Sequence, residues 1–275
     1  MMERQRNRFK FSLRRADARR RALPDYLIIG AQKSGTTSLS AYLDQLSDYR
    51  PAFRKEVHYF DHNHERSASW YRAHFPRDDR PGSDSWAVGD ATPFYLAHPE
   101  VPHRAASLIP RARIIAVLRD PVERAYSHFQ HSRARGTEPL EDFATALRLE
   151  QERTAGAWRS LRNGALRAPA AEHFSYAERG FYARQLKRWY AEFPAEQILV
   201  GFSSDLFADP RSFVSAAASH IGRPMRATES VDFAPRNTRV YDGIDETVAA
   251  ELRALYAEDS VELRTMLGRP LPWAD

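Results

Sequence analysis

The sequence predicts an α/β protein of three layers, a central parallel β-sheet flanked by helices. Three observations carry this. A β-rich run, Tyr26-Leu27-Ile28-Ile29, stops at Gly30 and leads through a short loop into an amphipathic stretch. A second run, Ala112–Leu118, is almost continuously apolar, as in a strand covered on both faces. Strand and helix patterns then keep alternating, which favours parallel strands joined by helical crossovers.

The elements follow in order. Residues 1–24 carry nine Arg and Lys against Glu3 and Asp17. Such a block of like charge reads as a solvated, flexible arm. The rest of the chain has 32 basic and 34 acidic residues, so the formal net charge of +5 belongs to the arm. The body is therefore given no nucleic-acid partner. The arm has no apolar segment of the kind that begins a secretory signal, and no run of about 18 apolar residues suggests a membrane span. There is no cysteine. That excludes a disulfide scaffold, a thiolate metal site and a cysteine nucleophile, and it suits a reducing, cytoplasmic compartment.

After the first strand, Leu39, Tyr42, Leu43 and Leu46 form the i, i+3, i+4, i+7 stripe of a helix. Residues 49–103 read as a long irregular stretch rich in His and aromatics, a length that is usually functional. The second strand ends in Arg119-Asp120-Pro121, where Asp120 suits a helix cap and Pro121 the first turn. Helical patterns cover 141–163 and the stretch through Tyr182, Leu186, Trp189 and Tyr190. A third strand at 197–202 and helices at 211–221 and 245–267 complete the pattern. With no repeat and no linker, residues 25–275 read as one domain.

The loop after the first strand, Gly30-Ala31-Gln32-Lys33-Ser34-Gly35-Thr36-Thr37, has the glycine spacing of a phosphate-binding loop. It makes the expected fold one of P-loop type. Its lysine, however, sits mid-loop as Lys33 instead of following the second glycine. Glycines, inward N–H groups and a helix N-terminus still form an anion cradle. No predicted strand ends in an acidic residue fit to hold Mg²⁺, which argues against ordinary ATP hydrolysis.

Several segments together resemble the sulfotransferases that use 3′-phosphoadenosine-5′-phosphosulfate (PAPS). Leu27–Thr37 is similar to their 5′-phosphosulfate loop, and Ile115–Ser127 to their 3′-phosphate motif. Lys55-Glu56-Val57-His58-Tyr59-Phe60-Asp61, Trp70–Pro76 and Arg179–Leu186 resemble the heparan-sulfate-type branch of a bacterial-like member. The likeness runs from about residue 25 to the end of the chain.

The resemblance implies metal-independent in-line transfer of a sulfuryl group from PAPS to a hydroxyl or amine. The acceptor would be a sugar-containing or small molecule, and the other product adenosine 3′,5′-bisphosphate (PAP). It places Lys33 at the leaving oxygen, and Gly30, Gln32, Ser34, Gly35, Thr36 and Thr37 around the 5′-phosphate. It gives Arg119 and Ser127 to the 3′-phosphate, with Tyr182 and Arg239 also near the cofactor. Arg124 is assigned to structure. For the general base, Glu56 and His58 both stay open, since imidazole is intrinsically matched to neutral pH. The spacing of His58, His62 and His64 with Asp61 fits no metal motif, so no metal is expected. Ala91 stands where the animal enzymes carry a lysine, which counts against a polysaccharide acceptor. A P-loop kinase and a non-catalytic anion or glycan-binding module are the competing readings.

Overall fold

The computed structural model describes residues 2–80, 85–236 and 243–273, with side chains from residue 9 onward. Among these residues, four strands form one parallel sheet in the order β2-β1-β3-β4: β1 (Tyr26–Gly30), β2 (Gly89–Ala91), β3 (Arg113–Leu118) and β4 (Ile198–Phe202). Helices α1 (Met2–Ala16), α2 (Thr36–Leu43), α3 (Ala68–Arg72), α4 (Val101–Leu108), α5 (Pro121–Ala134) and α6 (Phe143–Arg148) come first in chain order. They are followed by α7 (Glu150–Arg162), α8 (Pro169–Phe174), α9 (Tyr182–Tyr190), α10 (Ser203–Ala208), α11 (Pro210–Ile221) and α12 (Glu246–Leu267).

The sheet is three-layered because successive side chains of a strand point to opposite faces. Leu27, Ile29, Ile114, Ala116 and Leu118 face one side and pack with α4 and α9 through Val101, Ala105, Leu186 and Trp189. Tyr26, Ile28, Ile115 and Val117 face the other and meet α2 and α11 through Leu39, Tyr42, Val214 and Ala218. Burying one such side chain contributes roughly 1.5–3 kcal/mol. A further cluster joins α5, α6 and α12 through Phe129, Phe143, Tyr176 and Tyr256. Asp120 caps α5 by accepting from the Val122 and Glu123 amides, with Pro121 in the first turn.

Three strands match the sequence reading; β2 does not. It lies inside the stretch read as irregular and consists of Gly89, Asp90 and Ala91. So short a segment has no periodicity to read, and its strand character comes from pairing with β1, Tyr26 beside Gly89 and Ile28 beside Ala91. The glycine is required there: a Cβ would come within 2.2 Å of the Tyr26 ring. This strand also supplies the acidic side chain that no predicted strand had. Its carboxylate is already engaged. Asp90 is buried and accepts from Thr92 Oγ1 at 2.7 Å, Tyr95 Oη at 2.9 Å and Tyr71 Oη at 3.0 Å.

The basic start also differs from a solvated arm. It is helical over Met2–Ala16, and its later residues are stitched to the segment after α3. Arg14 donates from Nε to the Ala73 carbonyl at 2.7 Å and from Nη2 to the Phe75 carbonyl at 2.6 Å. Arg21 Nη1 reaches the same Phe75 oxygen, while Asp17 holds its guanidinium. Charge counting alone could not show this, because the partners are backbone carbonyls left open past a helix end.

Candidate active site

The strand ends and loops at the carboxyl edge of the sheet enclose a crevice of about 940 Å³. Ligands bind α/β folds at this edge. From the loop after β1, Gln32, Lys33, Gly35, Thr36 and Thr37 line it. Gly35 has φ of 93°, and a Cβ there would meet Leu206 at 2.9 Å and Phe207 at 3.0 Å. Only glycine satisfies both demands, and it lets α2 begin at Thr36 with its N-terminus on the crevice.

Arg119 and Ser127 face the same space from the end of β3 and from α5. The Arg119 guanidinium is held by Glu123, with Nε at 2.9 Å and Nη2 at 2.8 Å from Oε2, and Nη1 approaches the Lys33 carbonyl at 3.4 Å. Gly30, Ser34 and Tyr182 do not line the crevice. Gly30 ends β1 against residues 93–96, and a Cβ would lie 2.7 Å from Leu96 Cβ. Tyr182, expected near the cofactor, is 1% exposed and donates its hydroxyl to the Arg119 carbonyl at 2.9 Å. Its ring is apolar enough for the core, and its polar end steadies the turn that carries Arg119. Arg124 is fully buried and donates to the Tyr176 carbonyl. Arg239 lies outside the described residues; its neighbour Arg236 does line the crevice.

Lys55 and Glu56 form another part of the wall. Glu56 and His58 have φ of 58° and 54°, two left-handed residues that are not glycine. Such conformations cost of order 1–3 kcal/mol each and persist where the surroundings over-determine them. The surroundings here are ionic. Lys55 Nζ is 2.7 Å from Glu56 Oε1, and His58 Nε2 is 3.8 Å from Glu56 Oε2. His58 Nδ1 lies 2.7 Å from Oδ2 of the fully buried Asp61. The His62 ring stacks on His58, centroids 4.5 Å apart and planes 2° from parallel, and its Nε2 is 3.1 Å from Glu172 Oε2.

This geometry shifts the two candidate bases in opposite directions. For His58, burial opposes the charged form, but the carboxylates of Asp61 and Glu56 prevail and raise its pKa to about 10. For Glu56, burial raises the pKa, yet His58 and Lys55 bring it down to about 2. These shifts favour a cationic imidazole, bonded through Nδ1 to Asp61, beside an ionised Glu56 that is paired with Lys55. His58, His62 and Glu172 also bring three metal-ligating groups within 4.8 Å. Their ring planes lie 2° from parallel, and in the structure His58 is paired with Asp61 and His62 with Glu172.

Several lining residues escaped the sequence reading. Glu123, His131 and Arg135 line the crevice with Ser127 at four-residue intervals along α5 and its end. That spacing is the readable signal, one helix face turned to the ligand. Ser203, Phe207 and Trp273 arrive from elsewhere in the chain. Phe207 is 43% exposed, and the Trp273 indole N–H is buried with no acceptor among the described residues. An aromatic face and an unsatisfied donor both suit a nucleotide ligand.

The sequence profile of the sulfotransferase domain matches residues 23–240. The chain belongs to the sulfotransferase family. This sulfotransferase is 32% identical over 208 residues to the human bifunctional heparan sulfate N-deacetylase/N-sulfotransferase 2, covering 73% of this chain and 22% of that protein. To the mouse N-deacetylase/N-sulfotransferase 4 it is 31% identical over 287 residues, 91% of this chain and 31% of the relative. It thus spans well under half the length of these curated relatives. A crystal structure of a sulfotransferase from Alicyclobacillus acidocaldarius superposes with a TM-score of 0.73 and 27% identity, covering 91% of this chain and 98% of that one. The sulfotransferase domain of a Synechococcus PCC 7002 olefin synthase, at 15% identity and a TM-score of 0.53, shares the fold.

Proposed function

We propose that the crevice takes PAPS and transfers its sulfuryl group to a hydroxyl or amine of a sugar-containing or small-molecule acceptor. The observation that carries this reading is the pairing in one crevice of the anion cradle, with Lys33, and an ionised Glu56 that no anion-binding role requires. In this reading the loop amides, Thr36 and Thr37 hold the 5′-phosphate, and Arg119 and Ser127 take the 3′-phosphate. Arg119 exchanges its contact with Glu123 for the ligand, since a guanidinium binds phosphate in a bidentate way. Gln32, whose Oε1 accepts from the buried Arg179 Nη1 at 2.8 Å, keeps the loop aligned.

In the reaction the acceptor atom attacks sulfur as the bond from sulfur to the 5′-phosphate oxygen breaks. Lys33 neutralises the charge that develops on the departing oxygen, a preorganised electrostatic role. Glu56 accepts the proton of the attacking group. A carboxylate of depressed pKa suffices, because that proton becomes strongly acidic as the new bond to sulfur forms. His58 acts as the cation that orients Glu56, and the second candidate base thereby becomes its partner. The likeness to heparan sulfate N-deacetylase/N-sulfotransferases makes sugar-containing acceptors the first to assay.

The test is calorimetric binding of PAP against ATP–Mg²⁺, followed by transfer of ³⁵S from PAPS to glucosamine oligosaccharides and to simple phenols. Tight PAP binding with transfer to either class is expected. Binding of ATP–Mg²⁺ but not PAP would turn the reading toward a kinase, and PAP binding without transfer toward a non-catalytic module.

A further inference from the structure

We infer that helix α1 positions the loop that bears Glu56, acting through Phe53; this rests on the reading of Glu56 as the base. The loop is held unequally at its two ends. Downstream of Glu56, Val57 is fully buried, and the Tyr59 amide donates to Tyr95 Oη at 2.8 Å. The Asn63 amide and its Nδ2 both donate to the His58 carbonyl, at 3.0 and 2.8 Å. Upstream, Arg54, Lys55 and Glu56 are exposed; Arg54 Nη2 donates within the loop to the Val57 carbonyl at 3.2 Å, and the nearest anchor to the segment after α3 is Phe53.

That anchor is shared with α1. The Phe53 amide donates to the His74 carbonyl at 2.6 Å. Its ring lies 5.9 Å from the Phe11 ring, and the Arg14 guanidinium sits 5.1 Å above it. Phe11 also meets the rings of Trp70 at 6.0 Å and His74 at 4.4 Å, wedging between the segments that bracket the loop. Arg14 completes the clamp by binding the Ala73 and Phe75 carbonyls. Two left-handed residues three and five positions beyond Phe53 need their flanks fixed to stay so. Without Phe11 and Arg14, Phe53 keeps its backbone hydrogen bond to His74 and loses these ring and cation contacts.

Phe11 and Arg14 are thus positioning residues, and their loss should act on turnover and not on nucleotide binding. The experiment compares the full chain with Phe11→Ala, Arg14→Gln and Phe11→Leu, reading peptide-resolved amide exchange, PAP affinity and ³⁵S transfer from PAPS. We expect exchange over 54–58 to rise about tenfold in Phe11→Ala and Arg14→Gln while that over 30–37 stays unchanged. Turnover should fall roughly tenfold in both, with KM for PAPS and PAP affinity shifted by less than about twofold. Phe11→Leu, which keeps the apolar wedge, should restore most of the turnover. Unchanged exchange over 54–58, or an equal loss of PAP affinity and turnover, overturns the proposal. Full turnover in Glu56→Gln removes the role of the base instead, and leaves the exchange result to judge the clamp alone.

Discussion

On the side of the crevice that we propose holds the nucleotide, Gln32–Thr37 and Arg119–Ser127 hang directly on β1, α2, β3 and α5. On the side proposed for the acceptor, Lys55–His62 have no regular structure, two positive φ values and a web of five charged or ionisable side chains. In the proposed reading the first side binds with backbone dipoles whose direction the helices and strands dictate. The second relies on side-chain charges that must be balanced against each other. The backbone geometry of the first kind of site is intolerant of steric change, as the contacts of a Cβ at Gly35 show. The loop that bears Glu56 depends instead on the balance among its neighbouring charges.

The largest expected effects are on the reaction itself. Glu56→Gln and Lys33→Ala should each lower turnover by about 10² or more, as for lost acid–base or electrostatic catalysis. Glu56→Gln should leave PAP affinity untouched, and a parallel loss of affinity measured by calorimetry would break the division between the two sides. Gly35→Ala is the steric counterpart. It places a Cβ against Leu206 and Phe207 at positive φ, and we expect a loss of about 1–3 kcal/mol in denaturant unfolding together with weakened PAP binding. Arg119→Ala should weaken PAP binding by about tenfold, roughly 1.4 kcal/mol, with a smaller effect on turnover.

Titration sharpens the same contrast. His74, His98 and His128 are buried, and desolvation lowers their pKa values, to about 3 for His74 and His98. The unfolded chain takes up these protons first, so their stability is full above about pH 6.5 and lost as pH falls toward 3. Each contributes a slope of up to about 1.4 kcal/mol per pH unit. His58 behaves in reverse. Its pKa is raised to about 10, so its stabilisation is fully present below about pH 6.5 and fades as pH rises toward 10. The melting deficit of His58→Gln should therefore be largest at low pH and vanish above about pH 10. A deficit that grows with pH would show that the imidazole is held neutral.

Much of the nucleotide side was legible because its signals are local. Tyr26–Gly30, the glycine spacing after it, and Asp120-Pro121 each declare their conformation within a few residues. The acceptor side was legible only as a set of residue types. Glu172 reaches His62 from more than a hundred residues away, and nothing near either announces the meeting. Tyr182 illustrates the limit from within a recognised motif: it does not line the crevice, and the partner of its hydroxyl is a backbone carbonyl, which carries no sequence identity.

The sequence alone determined the parallel α/β frame, the anion-binding turn and the sulfotransferase likeness, because apolar periodicity, glycine freedom and helix capping act over a handful of bonds. Only the tertiary structure decided that Glu56 stands beside Lys55 and His58 and His58 against Asp61, that β2 exists, and that the basic start packs beside this loop. Those outcomes depend on desolvation and on charges meeting through space, and proximity in space is what a linear chain does not display.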